Sequence, residues 1–137
     1  MNMKHEDLEK ASIIKKILEK EFYKHFTVPD LVQLVGTNKK MLNAAFRYLT
    51  GQPIIMYQRA IRIEKAKDLL LETDHTIERI ASKVGLDRSN LEKQFKKLTD
   101  KTPREWRMEN KYSYASLVFV KSSYSPQESS YTPQSVV

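Results

Sequence analysis

The chain has 137 residues, 40% hydrophobic and 30% charged, enough for one compact domain or two very small ones. It has no cysteine, which excludes disulfides, thiolate catalysis and cysteine-ligated zinc, and its three glycines build none of the usual phosphate-cradling loops. The net charge is +7, no run approaches the roughly eighteen apolar residues of a membrane span, and the polar residues 1–10 do not form a signal peptide, so the expected location is cytoplasmic.

Ile14, Ile17, Leu18 and Phe22 recur at helical spacing and predict an amphipathic helix over 6–24. Thr27 is a good N-cap, with Pro29 in the first turn and Asp30 three residues on. It opens a short helix whose apolar face is Val28, Leu31, Val32 and Val35. Gly36 breaks that helix, Asn38 caps the next over 38–50, and Gly51-Gln52-Pro53 ends it. A long helix follows over 54–72, carrying Ile55, Ala60, Ile63, Ala66, Leu69 and Leu70. Thr76 caps a short helix with Ile77, Ile80, Ala81 and Val84. Gly85 breaks it, and Asp87 caps a helix to Thr99. Pro103 starts a last helix through Trp106. The expected fold is all-α, with about seven helices. From Tyr112 to Val137 the chain turns rich in Ser, Tyr, Pro and Gln and nearly loses its charge, which predicts a disordered tail. Leu117-Val118-Phe119-Val120 is a β-prone patch within it.

Shifted by 49 residues, the chain overlays itself. Val35-Gly36 falls on Val84-Gly85, Leu42 on Leu91, Phe46 on Phe95, and Leu49-Thr50 on Leu98-Thr99. Val28 falls on Ile77, Leu31 on Ile80, Tyr57 on Trp106, and the caps Thr27 and Asn38 on Thr76 and Asp87. Each unit is a short helix, a glycine turn and a second helix, the helix-turn-helix pattern. The organisation read from this is a domain over 1–111, with a first unit over 6–53, a linker helix over 54–72 and a second unit over 73–111, then the tail.

Charge follows the same plan. Residues 38–67 carry seven basic groups and one acidic, a net +6, and residues 82–111 carry nine and five, a net +4. Between them residues 68–81 have a net −3. Two basic blocks around an acidic spacer suit a polyanion partner, nucleic acid before a membrane surface. On a helical wheel Leu42, Ala45, Phe46 and Leu49 face the core, while Lys40, Asn43, Ala44 and Arg47 face out. In the second unit Leu91, Gln94, Phe95 and Leu98 point in, and Ser89, Glu92, Lys93 and Lys96 point out. Short polar groups and cations on such faces can reach base edges and phosphates in a major groove. The candidate DNA-binding residues are Asn38, Lys39, Lys40, Asn43, Ala44 and Arg47 in the first unit, with Arg88, Ser89, Glu92, Lys93 and Lys96 in the second.

The stretch 20–107 resembles the DNA-binding domain of the AraC/XylS transcription regulators. Arg62-Ile63-Glu64-Lys65-Ala66-Lys67-Asp68-Leu69-Leu70 is similar to that family's long linker helix. Ile77-Glu78-Arg79-Ile80-Ala81, Val84-Gly85-Leu86, Phe95-Lys96-Lys97 and Thr102-Pro103-Arg104-Glu105-Trp106-Arg107 carry the rest of the match. The resemblance implies two helix-turn-helix subdomains on one long helix, entering successive major grooves of duplex DNA, with RNA polymerase at nearby promoters as a further partner. In size the chain is similar to short stand-alone members that lack an effector domain. It departs from the family in three places. The second unit is one residue shorter before Phe95, Leu86 replaces an aromatic residue, and the family's arginine two residues before the helix phenylalanine is Ala44 in the first unit and Lys93 in the second. First-unit readout would then rest on Lys40, Asn43 and apolar contact from Ala44 to a thymine methyl.

His5, His25 and His75 lack ligand spacing, so no metal or other cofactor is expected. Tyr57 and Trp106 read as lids on two small cores. Arg59, Arg62, Arg104 and Arg107 read as phosphate or salt-bridge groups, and the apolar stripe of the first helix as core or a dimer surface. No paired His and acid and no nucleotide loop supports an enzyme. The expectation is a regulator bound to DNA as a monomer. A helical protein–protein adaptor without DNA binding, and the DNA-binding half of a larger effector-controlled regulator, share much of this pattern.

Overall fold

The computed structural model describes residues 4–112. The predicted tail beyond Tyr112, including Leu117-Val118-Phe119-Val120, lies outside the described residues. Those residues form seven α-helices and no strand: α1 (His5–Lys20), α2 (Val28–Val35), α3 (Lys39–Thr50), α4 (Ile54–Glu72), α5 (Ile77–Lys83), α6 (Arg88–Thr99) and α7 (Pro103–Arg107). A π-helical turn, Met108–Tyr112, continues α7, so Tyr112 belongs to the helical part rather than the tail.

The helices start where capping chemistry places them. Thr27 Oγ1 accepts from Asp30 N at 3.2 Å while the Asp30 carboxylate accepts from Thr27 N at 3.0 Å, a reciprocal box at the start of α2. Asn38 Oδ1 accepts from Met41 N, Thr76 Oγ1 from Arg79 N, and Asp87 Oδ1 from Asn90 N. Thr102 and Glu105 form a second box at α7. Helix α1 ends at Lys20, four residues before the predicted end. The reason is long-range. Phe22 leaves the α1 stripe to pack on the second unit's core, and the carbonyls of Phe22 and Lys24 are held by Arg62.

Two apolar clusters hold the molecule. The first joins Ala11, Ile14 and Leu18 of α1, Leu31 of α2, Leu42, Ala45 and Phe46 of α3, and Ile54 of α4. The second joins Ile63, Ala66 and Leu70 of α4, Ile77, Ile80 and Ala81 of α5, Val84, and Leu91 and Phe95 of α6. Helix α4 therefore closes one core with its first turns and opens the other with its last. Tyr57 lies edge-on to Phe46 with ring centroids 5.1 Å apart, and Trp106 lies edge-on to Phe95 at 5.9 Å. These are the two lids expected from the repeat.

The repeat runs deeper than its apolar residues. Thr50 and Thr99 each donate to the carbonyl four residues back, at 2.8 Å. Gln58 Nε2 donates to the Phe26 carbonyl as Arg107 Nη1 does to that of His75. Arg62 Nη2 donates to the Lys24 carbonyl as Lys111 Nζ does to that of Thr73. Each pair is separated by 49 residues. In this register α1 corresponds to α4, and the start of α4 to α7 with its π turn.

Arg62 and Arg107 thus take neither role read from the sequence. Both hold backbone carbonyls. Arg62 is only 8% exposed, and burial lowers its pKa. Arg107 gathers the carbonyls of Leu70, Thr73 and His75 at the end of α4. Satisfying loop carbonyls inside the fold avoids the cost of burying them unpaired. A second correction concerns Leu49 and Leu98, read as core but 41% and 48% exposed. Both sit in the last turn of their helices, which runs past the edge of its core.

Residues 21–24 of the first unit wedge against the second. The chain bends at Gly85, whose φ of +82° suits glycine. A Cβ there would lie 2.3 Å from the Tyr23 carbonyl oxygen. The repeat-related Gly36 also has positive φ, at +70°, but faces open space.

Candidate nucleic-acid interface

Helices α3 and α6 share a polarity that sets them apart. Helices α1, α2, α5 and α7 each carry an acid in the first turn, where the positive end of the helix dipole favours it. Helices α3, α4 and α6 carry none. Of these, α3 and α6 open with cations, Lys39-Lys40 and Arg88. A cation beside a positive helix end gains nothing from the helix itself; at α3, capped by the neutral Asn38, this favours an anion arriving from outside, whereas at α6 the Asp87 carboxylate already caps the helix.

On α3 the side chains of Lys39, Lys40 and Arg47 are exposed and join no ion pair among the described residues. Asn43 and Ala44 are half-buried beside them. Asn38 spends its Oδ1 on the cap, which leaves its amide N–H groups to reach outward. Tyr48, which the sequence reading did not single out, is 72% exposed on the same helix.

On α6 Ser89, Lys93, Lys96 and Lys97 are exposed. Glu92, Lys93, Lys96 and Lys97 line a shallow hollow with Thr102 of the α7 cap. Arg88 is held differently from every cation on α3. Its Nη1 donates to Glu78 of α5 and its Nε to Glu92 at 3.1 Å. The Glu78 carboxyl is held below the usual range, first by its own backbone N–H and then by Arg88. Glu78 is the residue that sequence reasoning missed. A carboxylate ten positions before Arg88 gives no periodic signal, and only the turn between α5 and α6 brings the two together. Gln94, read as pointing in, is half-buried, and its Oε1 has no hydrogen-bond partner among the described residues.

The arrangement offers two cationic helix faces on one rigid helical frame. No group of His, Cys, Asp and Glu among the described residues could hold a metal. No described helix is long and apolar enough to cross a membrane.

The family described as "Helix-turn-helix domain" matches residues 31–109. The chain is 33% identical over 108 residues to the F1 operon positive regulatory protein of Yersinia pestis, covering 78% of this chain and 36% of that protein. It is similar to the C-terminal domain of the two-component response regulator yesN of Fusobacterium nucleatum, at 31% identity and a TM-score of 0.67, over 72% of this chain and 98% of that one. A transcriptional regulator of Chromobacterium violaceum, described as having an AraC-type DNA-binding domain, shares the fold. Its identity is 22% and its TM-score 0.64, over 75% of this chain and 90% of that one. The chain spans about a third of the length of the first curated relatives it matches.

Proposed function

The chain belongs to the AraC-type helix-turn-helix family, and from that premise we propose that it is a transcription regulator that reads two successive major-groove segments of duplex DNA with α3 and α6. The observation that carries this reading is the pair of helices opened by cations, with no acid in the first turn, at equivalent places of a repeated unit. The N-terminal turns of a recognition helix meet base edges, and the flanking cations meet phosphates. Lys40, Asn43 and Ala44 then read bases from α3, with Asn38, Lys39 and Arg47 on the backbone. From α6, Arg88, Ser89 and Glu92 sit at the base-reading end, and Lys93 and Lys96 reach phosphates. Two heads on one chain need no two-fold partner, so one molecule fills one asymmetric site. RNA polymerase at an adjacent promoter is the partner through which binding changes transcription. Regulation rather than catalysis is the role, in keeping with the regulatory names of its relatives.

Salt dependence tests the reading. Neutralising about 6–10 phosphates releases counterions, so the log–log slope of affinity against salt has a magnitude of about 5–9. A flat dependence between low and physiological salt refutes DNA binding and leaves the helical adaptor, which needs no basic outer faces.

A further inference from the structure

Glu78, Arg88 and Glu92 form a carboxylate–guanidinium–carboxylate unit across the α5–α6 turn. The repeat supplies an internal control for it. Forty-nine residues earlier the same three positions hold Pro29, Lys39 and Asn43. The first unit builds the same helix, turn and helix around its own core, with no such ionic unit among the described residues. The fold therefore does not need the unit. Its members are also partly solvated, with the side chains of Arg88 45%, Glu78 61% and Glu92 40% exposed. Exposed ion pairs contribute little to stability.

Position gives the unit its meaning. Arg88 is the first residue of α6, at the end of a recognition helix that meets base edges. Its Nε and Nη1 are engaged by the two carboxylates, and its Nη2 makes no hydrogen bond among the described residues. A free guanidinium is drawn to any phosphate, because phosphate is the densest charge on DNA. Two carboxylates at its flanks oppose that approach. They leave the Nη2 donors to a neutral acceptor such as the O6 or N7 of guanine. Resting on the DNA-binding reading above, we propose that Glu78 and Glu92 make Arg88 a base-reading rather than a phosphate-holding group, so that Glu78 sets the specificity of the second head without touching DNA. Glu78 is then a positioning residue acting through Arg88. Glu92 does the same from within α6.

The test begins with wild-type protein selecting duplexes from a random-sequence pool. Affinities are then measured for the best selected duplex and for a scrambled duplex of equal length and composition. The proteins are wild type, Glu78→Gln, Arg88→Ala and the double variant, each checked for unchanged helical content. Glu78→Gln should tighten binding to the scrambled duplex about threefold and not tighten the selected one, so the ratio of the two falls about threefold to fivefold, the scale of an exposed ion pair. Arg88→Ala should lower the ratio about tenfold, as expected for loss of a base contact. In the Arg88→Ala background, Glu78→Gln should leave the ratio unchanged. Equal tightening of both duplexes in both backgrounds would mean that Glu78 only repels phosphate, and the inference fails while DNA reading stands. A ratio indifferent to Arg88→Ala overturns it in the same way. No enrichment of any duplex by the wild type overturns the DNA-binding reading itself.

Discussion

Phe46 lies edge-on to Tyr57 in the first unit, and Phe95 lies edge-on to Trp106 in the second. Thr50 and Thr99 make the same bond to the carbonyl four residues back. Inside, the two units are near copies. Outside, they part. Among the described residues Lys39, Lys40 and Arg47 join no ion pair on α3, whereas Arg88 on α6 is held by Glu78 and Glu92. A core must fill a fixed space, and its residues change little between copies. A solvated face has no such constraint, so differences there reflect what each face meets. The first face presents its cations free of carboxylates, and the second holds its leading guanidinium between two of them.

Breaking the shared interior should give the largest effects. Phe46→Ala and Phe95→Ala should each cost about 3–5 kcal/mol, because both rings are fully buried. Helix α4 contributes to both cores, so the damage should not stay in one unit. Thermal unfolding of Phe46→Ala, followed by Trp106 fluorescence in the other unit, should shift downward with the far-ultraviolet circular dichroism. A Trp106 transition left at its wild-type temperature would show that the units melt independently.

The two glycine turns separate next. Gly36→Ala meets open space and carries only the left-handed backbone penalty, about 1–2 kcal/mol. Gly85→Ala adds a clash with the Tyr23 carbonyl and should cost more, about 3 kcal/mol or above. Equal losses in denaturant titrations would remove the wedge between units from the account.

How much of this was legible in the sequence follows from the range of each interaction. Caps act within three residues, so Thr27, Asn38, Thr76 and Asp87 marked the helix starts correctly. Repeat spacing exposed the paired lids, since Tyr57 and Trp106 sit in register with Phe46 and Phe95. The guanidinium clamps were hidden, because Arg62 and Arg107 reach carbonyls 32 to 40 positions away, and an arginine gives no sign in sequence of whether it meets a carbonyl or a phosphate. The wheel misplaced Leu49 and Leu98, because an angle on a helix does not tell where the core stops along its axis. For the candidate interface, spacing found the outward faces of α3 and α6 but not the Glu78 partner, which arrives from another helix.

Smaller effects concern the faces themselves. Asn43→Ala should relax preference at one base pair and cost about 1–3 kcal/mol on the best site, with less loss on random DNA. Lys96→Ala should weaken all sequences alike and lower the salt slope by about one. The reverse pattern in quantitative binding titrations would exchange the reading role of Asn43 and the holding role of Lys96.

The smallest effect is a pH dependence. Asp30 and Glu105 are held below the ordinary carboxylate range, each first by a backbone N–H and then by the threonine hydroxyl of its box. A depressed folded-state pKa stabilises the fold above the ordinary carboxylate pKa, and that stabilisation is lost as pH falls through the depressed value. The boxes fix α2 in the first unit and α7 in the second. Asp30→Asn and Glu105→Gln should each flatten the acid side of a melting-temperature profile below about pH 5. An unchanged profile would mean that neither box survives in solution.

The central claim is that one chain carries two reading heads. A chemical-protection footprint on the selected duplex, with the protein-to-DNA ratio measured in the same complex, tests it most directly. The account predicts one chain per duplex, an asymmetric site, and two protected major-groove segments on one face about 10 base pairs, or roughly 34 Å, apart. A palindromic footprint filled by two chains, or a single protected segment, would contradict it.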